Sequence, residues 1–546
     1  MTKPIIYQLI PRLFANFNET RKHNGTIEEN GCGKFADINE RALKSLVDLG
    51  ATHVWYTGVI RHATAQRNNP AITKGQAGSP YAITDYYDVH PDLAKNEEKR
   101  MAEFEALVKR THKAGLGVIL DFVPNHVSRE YKSLCKPKGV TDLGENDHPE
   151  WAFSPLNNFY YLPGERFSMD KDLLGYEEYP AKVTGNDCFR SHPNENDWYE
   201  TVKLNYGVFY QGGGEKQFDP IPDTWKKMLD ILLFWVGKNI DGVRVDMAEM
   251  VPVEFFQWAI ARVRKKYPKI LFIGECYDPS RYDEYLRAGF DYLYDKVGMY
   301  DYLRGVTSRG WPAEGITQQW MQHSNGRLNH MLYFLENHDE QRIASGFFCG
   351  NGACAEPAMI VAATLNQCPV MIYSGQELGE KGMDLEGFSG MDGRTSIFDY
   401  WGVKSLQAWS NKGKYDGAHL NEDQRELRAF YQKLLTIARD NKAIQKGQMY
   451  DITYAQGEGF DKHEQFAFLR HIGHETLLIV VNFRDREQQI PVRIPNDAFV
   501  YLDMEEKSKA TATDLLRGSK QAVQFIADKP ITLTLPAWRG MILRIK

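Results

Sequence analysis

From the first residues to about position 440, short β-branched and aliphatic runs alternate with longer stretches whose apolar positions recur every three or four residues. Repeated βα units take this form along a chain. The runs at 52–59 (THVWYTGV) and 117–123 (GVILDFV) predict strands. Between them Phe104, Leu107, Val108 and Thr111 stand at i, i+3, i+4 and i+7, one face of a helix. Further strands are predicted at 5–10, 241–245, 270–274, 290–294, 330–335 and 370–373, separated by helical stretches such as 225–236 and 255–266. Eight such parallel strands close into a (β/α)8 barrel.

Two departures from this rhythm divide the chain. Residues 128–218 are rich in Pro, Gly, Asn and aromatic residues without sustained periodicity. A structureless loop of that length is improbable inside a compact domain, so an inserted subdomain is expected after the third strand, on the barrel face where active sites form. Asn421 with Gln424 predicts a helix start, continued by Leu427, Phe430, Leu434 and Ile437; beyond about Lys446 the period becomes two, with short strands at 465–470, 477–483, 491–494 and 531–535. The expected organisation is a barrel over 1–127 and 219–445, an insertion over 128–218 and a small antiparallel β-sandwich over 446–546.

Composition narrows the function more than the fold. A chain of 546 residues, 42% hydrophobic and 25% charged, is an ordinary packed protein, and its net charge of −6 gives no electrostatic reason to bind nucleic acid. No apolar run approaches bilayer length, which argues against a membrane partner. Seven scattered cysteines with no CxxC pair argue against a disulfide framework or a zinc site and fit a reducing compartment. The first residues lack a leader-like apolar stretch. A cytoplasmic location is the expectation, with a periplasmic or secreted one as the alternative should a leader have been removed.

Four predicted strands end in polar residues where a buried strand would continue apolar: Asp121 to Asn125 and His126, Arg244 and Asp246, Glu275, and Glu336 through His338 to Asp339. In a barrel, polar strand ends on one face converge on one site. Arg244 and Asp246, two apart on a strand, share a face, so a guanidinium beside the carboxylate favours its ionised form, as a nucleophile requires.

These segments, in this order, resemble the signature regions of the α-amylase family, glycoside hydrolase family 13. The likeness extends to GSPYAITDYYDVHP after the second strand, VKLNYG at the end of the insertion and PVMIYSGQELG at the eighth strand. The resemblance implies that Asp246 is the nucleophile, Glu275 the acid and Asp339 the carboxylate that grips the sugar hydroxyls. It implies sugar-binding roles for Tyr81, His126, Arg244, His338 and Lys203, a lysine at this position resembling the amylase and neopullulanase-like side. Asp121 is expected to orient its loop, and Trp198 and Tyr199 are aromatic residues that either stack on sugar or pack the insertion. A retaining mechanism needs two carboxyls about 5 Å apart, one ionised and one protonated. Arg244 beside Asp246, with Glu275 less compensated, is expected to split them in that sense.

The chemistry needs no cofactor. Many relatives hold a structural calcium through the Asn of the first region, an Asp of the insertion and a backbone carbonyl at a His after the nucleophile; here Asn125 is present, but Met250 stands where that His would be, so the usual site is incomplete. The oxygen-rich stretch 16–30 is a second place for a cation. The leading expectation is hydrolysis of α-1,4-glucosidic bonds in starch, glycogen or maltooligosaccharides. The alternatives are a neopullulanase or cyclomaltodextrinase-like hydrolase, a glucanotransferase, and, weakest because all three carboxylates are present, a non-catalytic glucan-binding protein. The oligomeric state is left open.

Overall fold

The computed structural model describes residues 3–324 and 326–546. Its centre is a closed barrel of eight parallel strands: β1 (Ile5–Leu9), β2 (His53–Tyr56), β3 (Gly117–Phe122), β4 (Gly242–Val245), β5 (Leu271–Gly274), β6 (Tyr292–Tyr294), β7 (Met331–Phe334) and β8 (Val370–Tyr373). β1 closes the ring by pairing with β2 on one side and β8 on the other. Helices alternate with the strands: α1 (Glu40–Leu49), α2 (Arg100–Lys113), α3 (Asp223–Val236), α4 (Val253–Lys266), α5 (Tyr282–Ala288), α6 (Asp301–Arg309), α7 (Glu356–Thr364) and α8 (Glu422–Asp440). The period of two sorts the strand residues: Ile6, Trp55, Ile119, Ile273, Leu332 and Met371 fill the barrel interior, while neighbours such as Ile5, Val54, Val118 and Val370 pack outward against the helices.

Local chemistry sets the helix ends. Asn421 and Gln424 form the reciprocal capping pair that the sequence suggests, and α8 buries Leu427 and Leu434 with Phe430 and Ile437 at the margin of its packed face. The fully buried α7 has no polar face, because it lies against both the barrel and the C-terminal domain.

The insertion leaves and re-enters the barrel at adjacent points: His126–Ser128 pairs antiparallel with Thr201–Lys203, His126 opposite Lys203. Tyr160, Leu162, Phe167, Ala181, Val183 and Tyr199 give it a core of its own. The hairpin between Ile60–His62 and Ile83–Val89 is a feature that the apolar pattern did not reveal.

The C-terminal domain is antiparallel throughout. A six-stranded sheet joins β9 (Gln448–Asp451), β10 (Gln465–Ile472), β11 (Glu475–Asn482), β13 (Lys507–Asp514), β14 (Lys520–Phe525) and β16 (Arg539–Ile545); β12 (Gln488–Val492) pairs with β15 (Ile531–Leu535), and α9 (Asn496–Leu502) crosses one end. In β10, Phe466 and Phe468 face the barrel core while Ala467 and Leu469 face the domain's own core, so a strand of period two is apolar on both sides. Cys349 and Cys354 are bonded to each other in the connection from β7 to α7, a pairing that their spacing did not suggest; Cys32, Cys135, Cys188, Cys276 and Cys368 are free. No described helix is long and apolar enough to cross a membrane.

Candidate active site

The barrel register brings the strand-end residues together. Arg244 on β4 pairs with Asp121 on β3, and Val245 with Gly274, so Asp246 and Glu275 leave neighbouring strands side by side. Arg244 is buried among them: its Nη1 lies 2.6 Å from Asp246 Oδ1 and 3.4 Å from Asp121 Oδ1, and its Nη2 is 2.7 Å from Glu275 Oε2. The rings of Trp55, Tyr81 and Tyr294 surround the guanidinium at 5.2, 5.6 and 5.5 Å.

This arrangement corrects one expectation. Arg244 does not serve Asp246 and leave Glu275 uncompensated; it touches both, because both strand ends are adjacent to β4. Glu275 gains more, since Tyr277 Oη donates to its Oε1 at 2.6 Å and the amide of Met247 to its Oε2 at 2.8 Å. Met247 has a left-handed backbone, φ 44°, unusual for a side-chain-bearing residue. That turn, directly after Asp246, aims the amide at Glu275. Asp246 is held well above the ordinary carboxylate range by burial and by the Glu275 carboxylate, against the pull of Arg244. Burial likewise raises Asp121 to about 6. One guanidinium thus faces several carboxyl groups, and burial with mutual repulsion favours the protonated forms of Asp246 and Asp121 in the absence of ligand.

Asp339 closes the opposite side. Asn337 Oδ1 accepts the amides of Asp339 and Glu340, each at 2.9 Å, and the buried Arg342–Glu336 pair at 2.8 Å anchors the loop beneath. Arg394, from the loop after β8, donates to the Asp339 carbonyl at 2.7 Å. The Asp339 side chain is 45% exposed and lies 3.2 Å from His338 Nε2. Partial desolvation of its carboxyl at the pocket wall and the Glu275 carboxylate raise its pKa. His338 is kept neutral by burial and by Arg244; its Nδ1 meets Gln8 Nε2 at 2.8 Å and its Nε2 meets Tyr81 Oη at 2.5 Å, with the Tyr81 ring stacked on the imidazole. His126 is neutral as well, lowered to about 3 by burial and the ammonium groups of Lys203 and Lys74, and packs beside Trp198. Tyr199 instead belongs to the core of the insertion.

Lys203 has a different place from the sugar-binding one that its motif implied. Its buried ammonium lies 2.5 Å from Asn125 Oδ1, 2.7 Å from Asp187 Oδ1 and 2.9 Å from the Met250 carbonyl, so its three N–H donors all have protein acceptors. These are an Asn of the first region, an Asp of the insertion and a carbonyl shortly after Asp246, the donor set expected of a structural calcium. With the ammonium among them, the residues do not fit a calcium ion at this position. In the stretch 16–30, the side-chain oxygens of Asn16, Asn18 and Asn30 accept backbone amides and Glu29 pairs with Lys22.

The structure thus gathers Asp246, Glu275, Asp339, Arg244, Tyr81 and His338 into one constellation, with His126 at its edge, and adds Gln8, Trp55, Tyr277, Tyr294 and Arg394. Of these, Gln8 carried a readable signal, a lone amide within the apolar run of β1. Asp121 joins the constellation through Arg244.

Residues 8–446 match the family model for the α-amylase catalytic domain. The chain belongs to the α-amylase family. As a member of glycoside hydrolase family 13 it is a glycosidase. Its similarity to individual family members is low: it is 21% identical to alpha-amylase 2 of Dictyoglomus thermophilum, over 89% of this chain and 70% of the relative. It is 22% identical to neopullulanase 2 of Thermoactinomyces vulgaris over 99% and 77%, and 23% identical to trehalose-6-phosphate hydrolase of Bacillus subtilis over 89% and 90%. Among solved structures, an α-amylase from Geobacillus thermoleovorans complexed with acarbose has the same fold, with a TM-score of 0.65 at 17% identity over 100% of this chain and 98% of the other.

Proposed function

We propose that this family member hydrolyses α-1,4-glucosidic bonds in starch, glycogen or maltooligosaccharides with retention of configuration. The observation that carries this reading is the pair Asp246 and Glu275 on adjacent strand ends, bridged by Arg244, with the half-open Asp339 opposite. With sugar filling the site, the proton of the carboxyl cluster rests on Glu275 and Asp246 is ionised: Asp246 Oδ attacks the anomeric carbon while Glu275 gives that proton to the departing glycosidic oxygen, leaving a covalent glycosyl-aspartate. Water, deprotonated by Glu275, then attacks the same carbon and frees Asp246. Arg244 holds the two carboxyls in register, the neutral His126 offers a hydrogen bond to a hydroxyl without adding charge, and His338 reaches one through Nε2 when a sugar hydroxyl replaces that of Tyr81 as its partner. Asp339 accepts from the hydroxyls of the same sugar, with Tyr81 as its apolar wall.

The insertion is fastened to the barrel by the Lys203 ammonium in place of a calcium ion, and the reaction needs no cofactor. A second reading, neopullulanase or cyclomaltodextrinase activity, draws support from the full-length likeness to neopullulanase 2. A glucanotransferase uses the same carboxylates with a sugar acceptor in place of water. Incubation with amylose, pullulan, cyclodextrin and maltoheptaose side by side, with chromatography of the products, tests the proposal. Linear maltooligosaccharides from amylose alone are expected, efficient opening of pullulan or cyclodextrin would replace the first reading by the second, and early products longer than a maltoheptaose substrate would replace it by transfer.

A further inference from the structure

A cavity of about 630 Å3 opens between the barrel and the C-terminal domain, far from the carboxylates. On the barrel side it is bounded by Trp320, by Asn329 just before β7 and by Gln367 just before β8; on the other side by Tyr450 of β9, Tyr454 and Tyr501 of α9. Residues that precede β7 and β8 lie at the N-terminal end of the barrel, opposite the face that holds Asp246, Glu275 and Asp339.

Three tyrosines form one wall. The Tyr450 ring lies 5.3 Å from that of Tyr501 and 6.5 Å from that of Tyr454, and the hydroxyls of Tyr450 and Tyr454 are 3.0 Å apart. Tyr454 and Tyr501 are 56% and 62% exposed, so their faces are offered to solvent. The charged groups at the cavity are spent inward: Arg470 donates to the carbonyls of Ala443, Leu365, Ile444 and Gly447, and Asp451 accepts from Thr317 Oγ1 at 2.5 Å, Trp320 Nε1 at 3.3 Å and the Thr453 amide at 2.8 Å. The mouth is therefore neutral, aromatic on the side of the C-terminal domain and, on the barrel side, lined by Trp320, Met321 and Leu328 with the amides of Asn329 and Gln367. A polyanion or a metal finds no counter-charge there. A neutral ligand with apolar faces and a rim of hydroxyls matches both walls, and the volume falls within the ordinary range for small-ligand sites.

We propose that this cavity is a second α-glucan-binding site, with Tyr454 and Tyr501 as its stacking platforms, that tethers long chains without taking part in bond cleavage. The proposal rests on the α-glucan reading of the active site. Tethering raises the local concentration of a polymer whose other segments reach the carboxylates, and leaves short oligosaccharides unaffected.

Native electrophoresis through gels containing glycogen, paired with turnover of maltotriose, tests it. The parent and Tyr81→Ala are expected to be retarded. The double variant Tyr454→Ala/Tyr501→Ala is expected to lose most of the retardation while its turnover of maltotriose stays within about twofold of the parent. The pair Tyr454→Phe/Tyr501→Phe keeps rings and fold, and is expected to be retarded like the parent. Undiminished retardation of the alanine pair overturns the proposal, as does loss of retardation in Tyr81→Ala alone, which would assign glycogen binding to the active site. A parent that is retarded but turns over no α-glucan would refute the catalytic reading and leave this one standing.

Discussion

Glu275 Oε2 lies 2.7 Å from Nη2 of Arg244, the guanidinium whose other terminal nitrogen holds Asp246 at 2.6 Å. The two carboxyls proposed to react are therefore positioned by a single planar group, which a lysine cannot imitate because its ammonium is a point charge without a fork. Arg244→Lys is expected to lower kcat/KM by roughly 10²- to 10³-fold, the scale of losing one pre-aimed charged donor, with the circular dichroism of the parent retained. Steady-state kinetics on maltooligosaccharides read this directly, and activity within a few fold of the parent would remove Arg244 from its positioning role.

The roles of the two carboxyls separate on leaving-group chemistry. Glu275→Gln removes the proton donor, which matters greatly for a sugar leaving group and little for an acidic phenol. Its loss of glycosyl-enzyme formation is expected to be several orders of magnitude on maltooligosaccharides and much smaller on a dinitrophenyl maltoside. Asp246→Asn removes the attacking atom and is expected to be inactive on both. Equal losses for the two variants on both substrates would contradict the assignment.

Lys203 gives a prediction about metal removal. The parent is expected to keep its activity and thermal midpoint in excess chelator, since an ammonium already joins Asn125, Asp187 and Met250. Lys203→Ala is expected to lose about 1–3 kcal/mol, less than the roughly 3–5 kcal/mol for breaking a fully buried pair, because Asp187 is partly exposed. The oxygens freed in that variant form an acceptor set suited to calcium, so added calcium is expected to raise its melting midpoint and not that of the parent. A parent midpoint that falls in chelator would show that a metal fastens the insertion after all.

Asp295, buried at the end of β6, predicts a pH dependence. Its Oδ1 accepts the Met299 amide at 2.8 Å while its Oδ2 has no partner, and burial raises its pKa to about 7 from the ordinary 3.8. The folded protein then keeps a proton that the unfolded chain releases between these values. Its contribution to stability is whole at acid pH and is lost as pH rises toward 7. Asp295→Asn retains the acceptor and cannot ionise. Thermal midpoints at pH 5 and pH 8 are expected to show the variant gaining on the parent at the higher pH, by on the order of a few kcal/mol. A constant difference between the two would indicate that Asp295 does not titrate in this window.

The barrel was legible because its information is local. Alternating apolar runs mark β1 to β8, the i, i+3, i+4 spacing marks the helices, and Asn421 with Gln424 marks the start of α8; each is a short-range preference that tertiary packing reinforced. The strand-end residues Asp246, Glu275, Asp339 and His338 were legible for the same reason, as polar interruptions at predicted strand ends. Partnership was not. That Arg244 divides itself between Asp246 and Glu275 follows from β4 and β5 being neighbours in register. That Tyr277 and the Met247 amide turn onto Glu275 follows from backbone geometry after the strands end. Lys203 joins Asn125 to Asp187 only because the insertion folds back onto the segment that follows β3, and Tyr450, Tyr454 and Tyr501 share a cavity with Trp320 only because the C-terminal domain docks under the barrel. Residue type and spacing determined which groups stand as candidates at the strand ends; the closing of the barrel and the docking of two domains decided which of those groups touch, because hydrogen bonds and charge compensation depend on distances of a few ångströms that no periodicity encodes.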